Sequence, residues 1–405
     1  MAQNLTLLES RIINETGSPC SRLKCIQKTR DFDVYHGVLD KFGEISVRVR
    51  IPLARDGGAV TPYQVMLSEF ATLSFLRSQV PKSVPVQIPI SIDEDKDNLV
   101  GGPWIATTLT KGLFLNNIIH TLNSVQRETI IDSVAETYYR TLMSRSSKFS
   151  KIGSIYRHED REQMARDWFF TDDDGNRDVK SRSDYFVGPI AVYPPDSNES
   201  DRNTEPPNIW HCGPFESADK WLAAIASRDL DYAGAPSDLS LDERRDRERD
   251  VNEILGRMRK KDRDFRKRLV LEHPAFSLSC IQVDPADPTK IVSISGWAGA
   301  RVVPSWAINP PLGIPENLGQ VEQKRLITRF AWAVTQKFPE ADWRNSSMFD
   351  KLLVAQNSHM DPNDRASLFR NKTVLQKMLT FRKKDEPLDK ILPEDLDSII
   401  DRFSE

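Results

Sequence analysis

The sequence predicts an α+β protein, with strands and one helix first and a mainly helical remainder. Three observations predict it. Ile45-Ser46-Val47-Arg48-Val49-Arg50-Ile51 alternates strictly between apolar and polar residues, the period of a half-buried strand. Met66, Phe70, Leu73, Leu76 and Val80 then recur at helical spacing. Much later, 269–284 and 290–298 carry short apolar runs that read as strand, loop, strand, turn and strand.

The strand turns Ile45, Val47, Val49 and Ile51 one way and Ser46, Arg48 and Arg50 the other. Two arginines on one strand face ordinarily lie in solvent, which is the expectation for these. Pro52 ends the strand, and a loop with Gly57 and Gly58 follows. Thr61 and Pro62 form an N-cap and a first helical residue. Glu69 sits at the edge of the helical stripe, and Pro81 and Pro85 stop the helix. The run 99–112 reads as a turn, a strand and a glycine-bounded exit. Residues 118–149 are mostly helical, and 170–207, rich in Asp, Asn, Ser, Gly and Pro, form a long insertion with one short strand near Tyr185 to Val192. A short helix is expected over 215–225. Over 239–268 both charge signs are dense and Ile254, Leu255 and Met258 are the few apolar anchors, which reads as an exposed helix laced with ion pairs. The helical pattern resumes at Glu322.

Composition excludes several classes. The chain has 405 residues, enough for two or three folding units, and 28% of them are charged. A formal net charge of -3 with no basic domain argues against nucleic-acid binding. No apolar run approaches the roughly 20 residues that span a bilayer, so no membrane insertion is expected. Met1 to Ile13 lacks the basic and apolar regions of a secretory signal. Cys20, Cys25, Cys212 and Cys280 show no paired zinc spacing and read as reduced thiols. The expected location is the cytoplasm.

Around His273 the chain reads Leu269-Val270-Leu271-Glu272-His273-Pro274-Ala275-Phe276-Ser277-Leu278-Ser279-Cys280-Ile281-Gln282-Val283-Asp284, and further on Lys290-Ile291-Val292-Ser293-Ile294-Ser295-Gly296-Trp297-Ala298. These segments resemble the aminoglycoside phosphotransferase and choline kinase-like family, especially its fungal branch. There the first usually reads His-x-Asp-Leu-x-x-x-Asn-Ile-x-Val-Asp and the second Ile-Ile-Asp-Trp-Glu. His273, Ile281, Val283, Asp284, Ile294 and Trp297 fall in register, and Pro304-Ser305-Trp306 resembles the Pro-x-Trp that commonly follows. Further landmarks in the family's order are Ser68-Glu69-Phe70, Val84-Pro85-Val86, Gly102-Pro103-Trp104-Ile105, Ile152-Gly153-Ser154, Val187-Gly188-Pro189 and Gly213-Pro214-Phe215. The resemblance spans roughly positions 45 to 310.

That resemblance implies a bilobal, protein kinase-like α+β fold. Residues 1–108 would form a small antiparallel-sheet lobe, and 109–405 a larger, mainly helical lobe with the insertion near 170–207. The hinge would lie near Thr107 to Gly112. Arg50, by its spacing to Pro52, falls at the basic phosphate-contacting position, with Glu69 as its partner on the helix. Arg50, Glu69, Thr107 and Trp297 are the implied ligand-binding residues of the interlobe cleft.

The departures carry more information. Ala275 stands at the catalytic-loop Asp, Cys280 at the magnesium-binding Asn, Gly296 at the metal-binding Asp, and Ala298 at the Glu that often follows. Phosphoryl transfer relies on magnesium to neutralise charge, and magnesium prefers hard oxygen ligands that Ala, Cys and Gly side chains do not supply. The first hairpin, near Thr29 to Gly43, has only Gly37 and Gly43, and bulky Phe32 and Tyr35 stand where a phosphate-cradling backbone is expected. Magnesium and ATP are therefore expected to bind weakly or not at all.

Three readings follow. In the first, the cleft is repurposed for magnesium-independent chemistry on a small organic molecule, a setting the fungal resemblance links to secondary metabolism. His273 and Glu272 are then the catalytic candidates. In the second, the chain is a pseudokinase that scaffolds, regulates or senses a ligand, with 239–268 and the insertion as surfaces for a protein partner. In the third it is an atypical active phosphotransferase. Against a catalytic role, a histidine beside such a loop commonly braces it, and a cysteine such as Cys280 is commonly a small buried hydrophobe.

Overall fold

The computed structural model describes residues 5–29, 32–51, 62–79, 84–93, 100–142, 149–161, 184–191, 212–218, 269–274, 276–305 and 312–337, with single positions between 220 and 249. The chain divides into two compact units. The first, Met1–Pro194, Pro206–Ser217 and Lys267–Asn345, holds every element named below. Few positions of the second are described; among them Arg249 Nη1 pairs with Asp246 Oδ1 at 3.1 Å, one helical turn away. Most of the charged stretch 239–268 lies outside the described residues.

Strands β1 (Cys20–Lys28), β2 (Phe32–Leu39) and β3 (Gly43–Arg50) follow one another, with a tight turn over 40–42 between β2 and β3. Helix α2 (Pro62–Gln79) comes next, then β4 (Pro89–Ile92) and β5 (Trp104–Thr108). The sheet is antiparallel with order β1-β2-β3-β5-β4. The alternation of β3 places Ile45, Val47 and Val49 in one core with Tyr35, Leu39, Trp104 and Ala106. Helix α1 (Leu5–Thr16) seals that face with Leu8 and Ile12. On the other face Ile105 joins Tyr63, Val65, Met66, Leu67 and Phe70 of α2.

The sequence reading assigned no helix to the N-terminal segment. Its signal is short: Leu8 and Ile12 one turn apart, then Gly17 at φ +60°, which ends the helix as a residue without Cβ can. The expectation that the β3 arginines lie in solvent is also overturned. Their face is the one α2 covers, so Arg50 is 2% exposed and the Arg48 side chain 28%.

The chain then forms β6 (Leu113–Phe114), the one-turn α3 (Leu115–Ile118) and the long α4 (Ser124–Leu142). A hairpin of β7 (Ser154–Arg157) and β8 (Tyr185–Gly188) follows, β8 being the strand expected within the insertion, most of which lies outside the described residues. The segments around His273 give β9 (Leu269–Glu272), β10 (Ile281–Val283) and β11 (Ile291–Ile294), followed by β12 (Arg301–Pro304). They assemble as β11-β10-β6 and as β12-β9. Helix α5 (Gln320–Lys337) packs along α4 through interlaced ion pairs: Arg329 with Asp132 (2.6 Å) and Glu128 (2.9 Å), and Arg127 with Glu322 (3.3 Å). Phe330 of α5 and Tyr138 of α4 meet Phe276, which fixes the loop after β9 from below. Among the described residues, no helix is long and apolar enough to cross a membrane.

Candidate functional site

The loop from β9 to β10 and the end of β11 form one hydrogen-bonded knot. His273 follows β9 directly and is 4% exposed. Its Nε2 lies 2.9 Å from the Ser295 carbonyl oxygen, which can only accept, so Nε2 carries the proton. The ring meets Trp297 edge-on at 4.6 Å and Phe276 at 5.7 Å. Burial lowers its pKa to about 4, so the ring is neutral at physiological pH; only the Ser295 hydrogen bond opposes that shift. Trp297, expected to contact ligand, is 1% exposed and gives its Nε1–H to the Ile294 carbonyl at 3.0 Å.

Glu272, the other expected catalytic residue, pairs with Arg301 directly across the β9–β12 ladder. Arg301 Nε lies 2.7 Å from Glu272 Oε2, with side chains 7% and 10% exposed. Its carboxylate is thus bound by a buried guanidinium.

At the positions the resemblance gives to metal ligands, Cys280 ends a 3-10 turn (Leu278–Cys280) and its Sγ–H donates to the Ser277 carbonyl at 3.0 Å. Burial pushes its thiol pKa up. Gly296 sits at φ +86°, where an L residue is strained, and a Cβ there would lie 3.5 Å from His273 Cε1. Ala298 packs against the cluster beneath α2. Ala275 lies outside the described residues. Asp284 is spent in a turn, accepting from the Ala286 amide at 2.8 Å.

On the sheet side, Arg48 Nη2 meets Glu69 Oε1 at 2.6 Å. The basic residue that answers Glu69 is therefore Arg48, two positions before the one expected. Arg48 and Arg50 share one face of β3, and α2 brings Glu69 over the earlier of them. Thr107 lies opposite Ser46 on the same face and is 3% exposed. Phe32, which starts β2 and pairs with Arg50, lays its ring 5.3 Å from the Arg50 guanidinium and 5.9 Å from that of Arg48. The β1–β2 turn is closed on itself: Thr29 N–H donates to Phe32 O at 2.8 Å, and Phe32 N–H to Thr29 Oγ1 at 2.9 Å. Those two amides point into the turn and cannot serve a phosphate.

These residues do not fit magnesium. A soft thiol already engaged, a glycine and a turn-bound aspartate offer no oxygen cage. Among the described residues no three His, Cys, Asp or Glu side chains gather as a metal site.

No family model matches the chain. It is 29% identical over 203 residues, 48% of its length, to Altered inheritance of mitochondria protein 9, mitochondrial, of Candida tropicalis. The chain spans about a third, 31%, of that curated relative. Similar solved structures include a candidate fructosamine-3-kinase from Thermobifida fusca (TM-score 0.49, 11% identity, 94% of this chain and 100% of that one). Another is a thermostable mutant of an aminoglycoside phosphotransferase in ternary complex with AMP-PNP and hygromycin B (TM-score 0.43, 13% identity, 88% and 99%). The α+β assignment stands on the element order and sheet topology above. The cytoplasmic expectation is corrected, because the curated relative is named as a mitochondrial protein.

Sequence reasoning missed Arg48 and Arg301 as site residues and the pairing of β8 with β7. Arg48 had a signal, since it shares the polar face of β3 with Arg50. Arg301 had none, because only strand register brings it to Glu272, 29 residues away.

Proposed function

We propose that this chain is a kinase-like domain that has given up phosphoryl transfer and acts as a non-catalytic binding module. The observation that carries this is the structural use of the metal positions: Cys280 closes its own turn, and Gly296 occupies a left-handed conformation against His273. The same geometry favours this reading over a magnesium-independent enzyme. Glu272 is held by Arg301, His273 gives its Nε2 proton to Ser295, and the raised thiol of Cys280 is not a nucleophile at neutral pH.

The two lobes, 1–108 and 109–405, would then enclose a cleft bordered by Arg48, Glu69, Thr107 and Gln282, and a small organic molecule is its occupant. Of these, Glu69 Oε2 and Gln282 Oε1 are buried with no hydrogen-bond partner among the described residues, which supports a ligand. Each costs about 1–3 kcal/mol if unmet, and a ligand or an ordered water relieves that. The named relative favours a mitochondrial location.

The test is a phosphotransfer assay with magnesium and ATP or GTP against a panel of amino sugars and amino alcohols. Release and transfer of the terminal phosphate are expected at the buffer rate. Transfer above that rate, abolished by Arg48→Ala, would overturn the proposal.

A further inference from the structure

We infer that the hairpin β7–β8 is a built-in brace that holds α2 in one position, so that the Arg48–Glu69 ion pair exists without any ligand. In kinases the position of the equivalent helix and its ion pair is a point of control. Here α2 is enclosed on nearly every side: Tyr63, Val65, Met66, Leu67, Ala71, Leu73 and Leu76 are each 3% exposed or less. The sheet covers one side of the helix, and the hairpin grips another. Arg157 of β7 lies 4.7 Å from the centre of the Phe70 ring, and its guanidinium is held bidentately by Asp160 at 3.0 and 2.6 Å. Tyr185 of β8 meets Phe75 edge-on at 5.6 Å and takes a hydrogen bond from Ser78 at 3.4 Å.

The other end of the hairpin is anchored in the candidate site. Gly153 and Val302 of β12 exchange two backbone hydrogen bonds, at 3.2 and 2.6 Å, and Ser154 Oγ–H donates to Ala300 O at 3.0 Å. Gly153 also lets β8 approach closely, since a Cβ there would lie 2.0 Å from Gly188 O. Strand β12 pairs with β9, which carries Glu272. A continuous packed path thus runs from Glu272 and Arg301 through the hairpin to α2 and Glu69. A helix tied at both lobes has no second position to swing into, which is what a rigid platform needs and a switch does not.

Hydrogen exchange on the full chain tests this. In the wild type, α2 amides over 65–76 are expected to exchange as slowly as those of β3, with or without nucleotide. The double variant Arg157→Ala/Tyr185→Ala is expected to speed α2 exchange about tenfold or more while β2 and β3 stay within about twofold. Wild-type α2 amides opening about a hundredfold faster than β3, or gaining protection on adding magnesium and ATP, would overturn the inference. So would an α2 unaffected by the double variant. The wild-type comparison needs no variant, so a double variant that unfolds as a whole leaves it decisive.

Discussion

Replacing Glu272 by alanine is expected to cost the fold about 3–5 kcal/mol, the range for breaking a buried ion pair by removing one partner. The loss comes less from attraction forgone than from what remains: Arg301, 5% exposed, keeps its charge without the carboxylate 2.7 Å away. The pair also closes the β9–β12 ladder beneath His273, so strain there reaches the loop that Phe276 and Trp297 hold. Urea unfolding of Glu272→Ala checks the figure. The paired replacement Glu272→Leu/Arg301→Met should lie near the wild type or above it, since well-packed apolar isosteres of buried pairs are often neutral or stabilising. If Glu272→Ala instead unfolds at the wild-type midpoint, the carboxylate is not structural and its catalytic candidacy reopens.

The second large effect is a pH dependence. His273 titrates near 6.5 in the unfolded chain and at about 4 in the fold, because burial disfavours the imidazolium. A depressed folded pKa means that stability is complete above the unfolded value. It is lost as pH falls, because the unfolded state takes up a proton that the fold refuses. Between about pH 6.5 and 4 the loss should reach roughly 3 kcal/mol. Carboxylates titrate in the lower part of that window, so the measurement is a difference: unfolding free energy against pH for the wild type and for His273→Gln, whose amide can still donate to Ser295 O. The variant's curve should be flatter by the same amount, and parallel curves would refute the assignment.

Much of the fold was legible because local periodicity dominated it. The alternation of Ile45 to Arg50 and the stripe of Met66 to Leu76 are local signals, and both became the elements they predicted. Helix α1 is shorter and more polar, and its burial depends on a sheet that a sequence window does not contain. The site divides along the same line. That Cys280 and Gly296 lack oxygen ligands could be read directly from the chain. That they are put to structural use, with a thiol closing a turn and a glycine at φ +86°, could not. Register decided the rest: two arginines share one strand face, and only the placement of α2 selects Arg48 for Glu69. Likewise Glu272 read as a catalytic candidate, and only strand pairing sets Arg301 opposite it.

Under the proposed function, the magnesium and nucleotide machinery has been dismantled while the frame around it persists. Titration calorimetry and thermal unfolding with magnesium and ATP on the purified chain test it most directly. At about 1 mM nucleotide a site of micromolar affinity would add about 4 kcal/mol to the fold. The expected result is no saturable heat and an unchanged Tm. Saturable ATP binding that raises Tm and disappears when EDTA removes the magnesium would contradict it.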